Sequence, residues 1–197
     1  MQRFADDVGI PDRLRTDLAQ ELTGKNTEVQ AQAKRLGIDE THSDMERSNQ
    51  NHAAEREIGE LKKQFKQKMI SKGAPKRVWY YGFVHQAGVM NRIDRGRNGR
   101  TGIEEVTGNT PNISEWLNFD FYDRFWWLDK KKPATIDENV TLGGWLGISD
   151  KIGSDMCYWV FSVSGNVNAR TSVQHVIRDE LLDPVMIERI KKFDEDL

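Results

Sequence analysis

The sequence predicts an α+β fold in which a strand-and-helix segment is followed by long helices and a small antiparallel β-barrel. Three features of the 197 residues support this prediction. Short β-prone runs flank a helical pattern in the first part of the chain. Apolar residues then recur at helical spacing between residues 49 and 93, and the chain becomes aromatic and β-prone after residue 118.

The first segment has the pattern of a strand, a helix and a second strand. Residues 13–17 follow a turn at residues 9–11 and predict a short strand. Residues 26–36 predict a helix that ends at Gly37, and residues 38–43 predict the second strand.

Two longer helices are expected next. The first covers residues 49–71, and its apolar residues form one stripe at helical period: Ala54, Ile58, Leu61, Phe65 and Met69. The second begins at Pro75, a favourable residue for a first turn. We expect its apolar side to carry Trp79, Phe83, Met90 and Ile93. The loop at residues 94–102 ends this helix.

The rest of the chain predicts short strands and a terminal helix. The strands are expected at residues 119–129, 142–148, 156–163 and 167–176. Such runs, separated by turn signals, are typical of a small antiparallel barrel. We expect Trp145 to be buried against residues 156–163 and Cys157 to be a buried small apolar residue. The tryptophans of this region are expected to fill the barrel core rather than stack on bases: Trp126, Trp127, Trp145 and Trp159. Residues 178–197 predict the terminal helix.

Composition excludes several classes of protein. No run approaches the roughly 18 apolar residues that a membrane span needs, and we expect no signal peptide because no apolar stretch follows Met1. The single cysteine forms no internal disulfide and fits a reducing compartment. Four scattered histidines give no zinc-ligand spacing. A formal net charge of -2 does not indicate nucleic-acid binding, but this average hides a local asymmetry.

Asp17 and Glu55 are the candidate metal ligands. Asp17 ends the first predicted strand, and Glu55 lies in the first turns of the long helix, 55 − 17 = 38 residues later. That separation leaves room for a return that brings both carboxylates to one sheet edge. Carboxylates in such a place suit Mg²⁺, and in two-metal sites they support phosphodiester chemistry. On spacing alone, solvated surface acids remain the commoner explanation of such a pair.

The long helix also presents a basic face. Asn51, Glu55, Lys62 and Lys66 share one side at 100° per residue. From residue 61 to residue 78 the chain has seven basic residues and no acid. This run predicts contact with a phosphate backbone through Asn51, Lys62, Lys63, Lys66 and Lys68. A solvated helix face explains the same run without a ligand, so both interpretations stay open.

Several short motifs resemble the integrases of copia-type LTR retrotransposons. Residues 14–17 with Glu21 are similar to the family's Arg-Thr-Asp-Asn-Gly strand, and residues 50–56 to its Gln-Asn-Gly-Val-Ala-Glu-Arg helix start. Residues 74–79, 100–108 and 110–114 resemble later segments of the core and its connector. Segments between residues 145 and 174 resemble the SH3-like domain that follows the core. The similarities are colinear from about residue 9 to residue 177.

The resemblance implies a ribonuclease-H-like core whose Asp-Asp-Glu triad binds two Mg²⁺ (or Mn²⁺) ions. Asp17 corresponds to the second acid and Glu55 to the third, and the first is expected on an earlier strand. The family trims element DNA ends and joins them to target DNA. The implied partners are DNA, the rest of the polyprotein and other copies of the integrase, and the implied location is the nucleus, with a cytoplasmic particle stage.

Departures from the family pattern affect the site. Leu18-Ala19 replaces the family's Asn-Gly after the second acid, and His52 replaces the glycine before the third. We therefore expect a degenerate or fragmentary copy that does not join DNA by itself. The alternative is a non-catalytic module in which the basic helix binds nucleic acid and the barrel binds a protein.

These interpretations divide the chain into four parts. Residues 1–72 are expected to be the C-terminal part of the ribonuclease-H-like core, and residues 73–117 a helical connector. Residues 118–177 are expected to form the SH3-like barrel and residues 178–197 the terminal helix.

Overall fold

The structure of the chain is a computed structural model that describes residues 9–16, 27–42, 52–96, 98–128, 140–149 and 157–195. Backbone contacts divide the chain into two compact units. The first holds residues 1–60 and 95–110, and the second holds residues 61–94 and 111–197. Asp17 and Asn51 lie outside the described residues.

The first unit begins with a parallel strand pair. Strand β1 (Arg13–Thr16) pairs with strand β2 (Asp39–His42), and helix α1 (Glu28–Leu36) connects them. A parallel pair needs such a crossover because the second strand must start at the same end as the first. The side chain of Thr27 caps the start of α1, and Gly37 ends it at a φ of 71°. The predicted order of strand, helix and strand is confirmed.

Helix α2 (His52–Ser71) is the predicted long helix. Its apolar stripe is packed only in its second half. Ala54 is exposed and Ile58 is 48% exposed. Leu61, Phe65 and Met69 are half-buried, and the Phe65 ring meets the Phe83 ring edge to face at 5.8 Å. A periodic stripe shows which side of a helix can pack, but its burial depends on what that side meets.

A 3₁₀ turn (Lys76–Val78) leads into helix α3 (Trp79–Ile93). The predicted apolar side of this helix is exposed at both ends, at Trp79 and at Ile93. The buried residues are Gly82, His85 and Gln86. A Cβ at Gly82 would lie 2.9 Å from the rings of Phe121 and Phe65. The buried side therefore uses small and polar residues that admit large rings from elsewhere.

Two short helices, α4 (Gly102–Thr107) and α5 (Ser114–Leu117), follow α3. Thr101 and Glu104 form a capping box at the start of α4. Gly108 ends this helix in the left-handed conformation. Helix α4 thus begins at Gly102, the residue at which the loop predicted after α3 ends.

The second unit contains a five-stranded antiparallel sheet. Its strands are β3 (Arg124–Leu128), β4 (Val140–Ile148), β5 (Tyr158–Ser162), β6 (Val167–Arg170) and β7 (Val173–His175). Their order in the sheet is β6-β5-β4-β3-β7. The antiparallel arrangement is confirmed. The sheet is open, however, because no pairing among the described residues joins β6 to β7.

Two predicted strands have different bounds in the structure. Strand β3 starts at Arg124 because residues 120–123 form a turn, closed by the Asp123 amide donating to the Asp120 carbonyl, in which Tyr122 has a φ of 64°. The predicted strand at 167–176 is divided into β6 and β7, and β7 leaves β6 to pair with β3. Local alternation continues through Thr171 and Ser172, so it does not reveal the change of partner.

Aromatic residues form the core of the sheet. Trp145 is fully buried and packs with Phe119, Phe125 and Tyr158, and it lies opposite Val160 of β5. The predicted burial of Trp145 is confirmed, as is that of Cys157. A second apolar cluster includes Val78, Phe121 and Phe161.

The predicted terminal helix is two helices, α6 (Arg178–Leu182) and α7 (Pro184–Glu195). The break falls at Asp183, since the residue before a proline disfavours helical geometry. Helix α7 buries Met186 and Phe193 in the second apolar cluster. None of the helices among the described residues has the length and apolar character that crossing a bilayer requires.

Candidate nucleic-acid interface

Helix α2 carries the predicted basic face. Lys62, Lys63 and Lys66 are exposed. Lys62 and Lys66 are four residues apart on a continuous helix and therefore share one side, about 6 Å apart along the axis. Neither of them forms an ion pair within the part of the chain that the structure describes. Their ammonium groups are presented to solvent in a form that suits contact with phosphates.

Lys68 has a different environment from the other predicted contacts. Its Nζ lies 2.7 Å from Oδ1 of Asp120. One turn later, Lys72 Nζ lies 3.0 Å from Asp120 and 2.7 Å from Asp123. The turn before β3 thus neutralises Lys68 in the last turn of α2 and Lys72 just after it, and joins this helix to the sheet. These pairs are partly exposed, so each contributes little stability.

The titration of these groups follows from the ion pairs. Partial burial opposes the charge on Lys72, but hydrogen bonds to Asp123 and Asp120 outweigh it and raise the pKa of Lys72. Burial likewise disfavours the charge on Asp120, and the hydrogen bonds from Lys68 and Lys72 outweigh it, so the pKa of Asp120 is lowered. Lys72 and Asp120 are therefore both charged at neutral pH.

Glu55 is exposed in the first turn of α2. An acid in this position stabilises a helix through the helix dipole whether or not it binds a cation. Asp17 follows β1 directly but lies outside the described residues, so its distance from Glu55 stays a prediction. Among the residues that are described, no three His, Cys, Asp or Glu side chains come together as a metal site.

His85 forms a feature that sequence reasoning missed. Its ring stacks on Trp116 and Phe121 at centroid distances of 5.5 and 5.8 Å and meets Trp145 edge to face. It lines a cavity of about 590 Å³ together with Gln64 and other residues of the second unit. Burial lowers the pKa of His85 to about 4, so the imidazole is neutral at pH 7 and is no cation for phosphate.

Comparisons with known proteins were made at the level of families, sequences and structures. No family model matches the sequence. No curated protein matches it either. One similar solved structure is the cryo-EM structure of the simian T-cell lymphotropic virus intasome in complex with PP2A regulatory subunit B56 gamma.

The structural match covers 89% of this chain and 62% of the other chain, with a TM-score of 0.45 and 11% sequence identity. The chain therefore spans less than two thirds of the length of that neighbour. At a TM-score below 0.5 this likeness adds no weight to a shared fold or a shared activity.

Two features of the described residues are candidates for function, the exposed basic face of α2 and the buried imidazole of His85. Exposed cations lie on a regular helix, while the buried imidazole of His85 has no hydrogen-bond partner for Nδ1 among the described residues. A general base needs a reacting proton within hydrogen-bond reach, and a nucleophile beside it. Lys68 and Ser71 line the same cavity, but neither is hydrogen-bonded to Nδ1 of His85. The exposed helix is the stronger candidate for function.

Proposed function

We propose that this chain acts in DNA integration as the C-terminal part of a copia-type integrase, and that it contacts DNA through the basic face of α2. One observation carries the proposal. From residue 61 to residue 93 the chain has eight lysines and arginines and no acid, although the whole chain has a net charge of -2. A helix that concentrates cations in this way attracts a polyanion.

The ion pairs determine which lysines are available to contact phosphates. Lys62 and Lys66 are the principal phosphate contacts in this proposal, because both are exposed on one side of α2. Lys63 and Asn51 are further proposed contacts. Lys68 contributes less to DNA binding, since DNA would have to compete with Asp120 for its ammonium group.

The architecture supports the assignment to an integrase of this type. A parallel strand–helix–strand unit followed by α2 fits part of a ribonuclease-H-like core, where parallel strands occur with helical crossovers. The later sheet places its last strand, β7, beside its first, β3. That order is how a short meander begins to curl into a small barrel, and it fits the proposed SH3-like domain.

Asp17 and Glu55 are proposed as ligands for Mg²⁺ or Mn²⁺ in the full-length protein. Both offer the oxygen ligands that these hard cations prefer. Only Glu55 is among the described residues, so no catalytic step is derived from this pair. Partners expected from the same proposal are DNA, the remaining polyprotein and further copies of the integrase. The proposed location is the nucleus.

DNA binding is tested by titrating a labelled duplex at several salt concentrations. Removing one lysine that neutralises a phosphate lowers the log–log salt slope by roughly 0.9. The variant Lys62→Ala/Lys66→Ala should therefore lower the slope by about twice that value. Lys191→Ala/Lys192→Ala removes the same charge from exposed positions of α7 and should leave the slope unchanged. Equal slopes for wild type and the α2 variant would refute the proposed interaction.

Strand transfer is a separate test. The purified 197-residue chain is incubated with a donor oligonucleotide and Mn²⁺, beside an Asp17→Ala/Glu55→Ala variant. We expect no joined product, because two carboxylates alone hold a pair of ions too weakly to position both reacting oxygens. Product from wild type that disappears in the variant would show that the chain is itself a working enzyme.

A further inference from the structure

Exposed rings and cations lie together where α3 begins. Trp79 is 56% exposed and Tyr80 is 55% exposed. Their ring centroids are 6.2 Å apart with the planes nearly perpendicular. Lys76 and Arg77 precede them in the 3₁₀ turn and are also exposed. These four residues are called the aromatic–basic surface below.

The rings of this surface are supported from inside the second unit. Tyr80 meets Tyr81 edge to face at 5.6 Å, and Tyr81 lies 5.8 Å from Trp159 of β5. Because each ring is held by the next, Trp79 and Tyr80 lose little conformational freedom when a flat ligand stacks on them. The exposed rings are thus preorganised for stacking.

The two cations immediately precede the exposed rings in the chain. Lys76 is three and four residues before Trp79 and Tyr80, which places it on the same side of the chain. The guanidinium of Arg77 lies 5.0 Å from the centre of the Phe161 ring. It also lies close to Gly165, where an added Cβ would be 2.7 Å from Nη1. Within the described residues, neither Lys76 nor Arg77 forms an ion pair.

Charge and shape together select the ligand. An apolar peptide would bury apolar surface against the rings, but it would leave two cations next to an uncharged partner. A duplex would satisfy the cations, but its bases are already stacked within the helix and present no free faces. Unpaired nucleotides satisfy both parts, since each base has a π face and each phosphate carries a negative charge.

We propose that the aromatic–basic surface binds unpaired nucleotides, with a base stacked on Trp79 or Tyr80 and phosphates beside Lys76 and Arg77. The inference rests on the proposed function in that the nucleic acid is DNA held by α2. Helix α2 would contact the phosphate backbone of the DNA, and the aromatic–basic surface would select an unpaired end or gap in the same DNA.

The test compares unpaired and paired DNA. A labelled oligothymidylate of about 12 nucleotides and a duplex of the same length are titrated by fluorescence anisotropy at two salt concentrations. Trp79→Ala should weaken oligothymidylate binding on the order of tenfold and leave its salt slope unchanged. Trp79→Phe keeps a ring and should keep most of the affinity. Val185→Ala, at a position that is 73% exposed on α7, is the matched control and should bind like wild type.

Several results would overturn the inference. One is Trp79→Ala binding oligothymidylate as tightly as wild type, and another is an equal reduction in affinity for duplex and single strand. Tyr80→Ala gives a second measurement if Trp79→Ala does not melt like wild type by circular dichroism. A further contrary result is that Trp79→Ala abolishes binding to phosphatidylserine vesicles, or dissociates a dimer in sedimentation, while oligothymidylate binding is unchanged.

Failure of the proposed function gives a different pattern. If Lys62→Ala/Lys66→Ala keeps the wild-type salt slope on duplex while Trp79→Ala still weakens oligothymidylate binding, the role of α2 is wrong and the aromatic–basic surface stands. If the lysine variant has a lower slope and Trp79→Ala binds oligothymidylate like wild type, the role of α2 stands and the aromatic–basic surface is wrong. No binding of either DNA by wild type would refute both.

Discussion

The parallel strand pair of the first unit and the five-stranded sheet of the second are stabilised in different ways. In the described residues from 9 to 42, only Ala33 and Ile38 are buried. In the sheet, Phe125, Trp145 and Val160 are completely buried among other large side chains. The first structure therefore depends on local caps and turns, and the second depends on an aromatic core. Four predictions test this difference.

The largest effect is expected in the sheet core. Trp145→Ala removes a fully buried ring and should reduce the free energy of unfolding by about 3–5 kcal/mol. Trp79→Ala removes the same side chain from an exposed position and should cost far less. Denaturant unfolding followed by circular dichroism measures both. Equal destabilisation by the two substitutions would contradict the proposed dependence on the core.

The next effect concerns pH. Burial disfavours the charged form of His85 and lowers its pKa to about 4 from an ordinary value of 6.5. Asp120 opposes this change and Lys68 adds to it. Between these two values the unfolded chain binds a proton that the folded chain does not, so stability falls as pH decreases through this window.

This single group should remove about 2 kcal/mol between pH 7 and pH 5. Unfolding titrations of wild type and His85→Gln at the two pH values measure the difference. The variant should be less sensitive to pH even if its absolute stability is lower. Parallel pH profiles for the two proteins would show that His85 is not protected from protonation.

A smaller effect is expected where the sheet is most closely packed. A Cβ at Gly143 would lie 2.9 Å from the Trp127 ring and 3.1 Å from the Phe161 carbonyl oxygen. Overpacking costs about 1–3 kcal/mol, and the gain in backbone entropy recovers part of it. Gly143→Ala should therefore reduce stability by about 1–2 kcal/mol in thermal unfolding. Gly59→Ala is the control, because its Cβ would meet nothing, and it should not reduce stability.

The smallest effect is expected in the first unit. The Thr27 hydroxyl accepts a hydrogen bond from the Gln30 amide at 3.3 Å and caps α1. Thr27→Ala should cost about 1 kcal/mol locally. Amide hydrogen exchange should become faster in α1 and stay unchanged in β4 and β5. Faster exchange in both places would mean that the strand pair and the sheet open together.

Local signals predicted the first unit well. Thr27 and Gly37 mark the ends of α1, and the β-prone runs on either side are β1 and β2. Trp145 was also predicted correctly, since a large ring between strand-like runs has few other places to go. For α1 and the strands beside it, the residues that determine the structure are close together in the sequence.

The remaining features depend on distant residues. Lys68 meets Asp120 across 52 positions, and no local pattern announces such a pair. Trp79 was predicted on the apolar side of its helix and is exposed, while His85 was given no role and is buried. Helical period identifies sides of a helix, but it does not say which side faces the sheet. Of the candidate site, the exposure of Lys62 and Lys66 agrees with the predicted basic face, while the pairing of Asp17 with Glu55 stays a prediction.

Two glycines of α3 are expected to covary with their aromatic neighbours in related sequences. A Cβ at Gly88 would lie 2.2 Å from the Trp116 ring, and one at Gly82 would meet Phe121. Each glycine and its aromatic neighbour therefore form a pair whose volumes are linked. In related sequences, a larger residue at position 88 should be accompanied by a smaller one at position 116. The same compensation is expected between positions 82 and 121, so a substitution at one position of each pair should be accompanied by a substitution at the other.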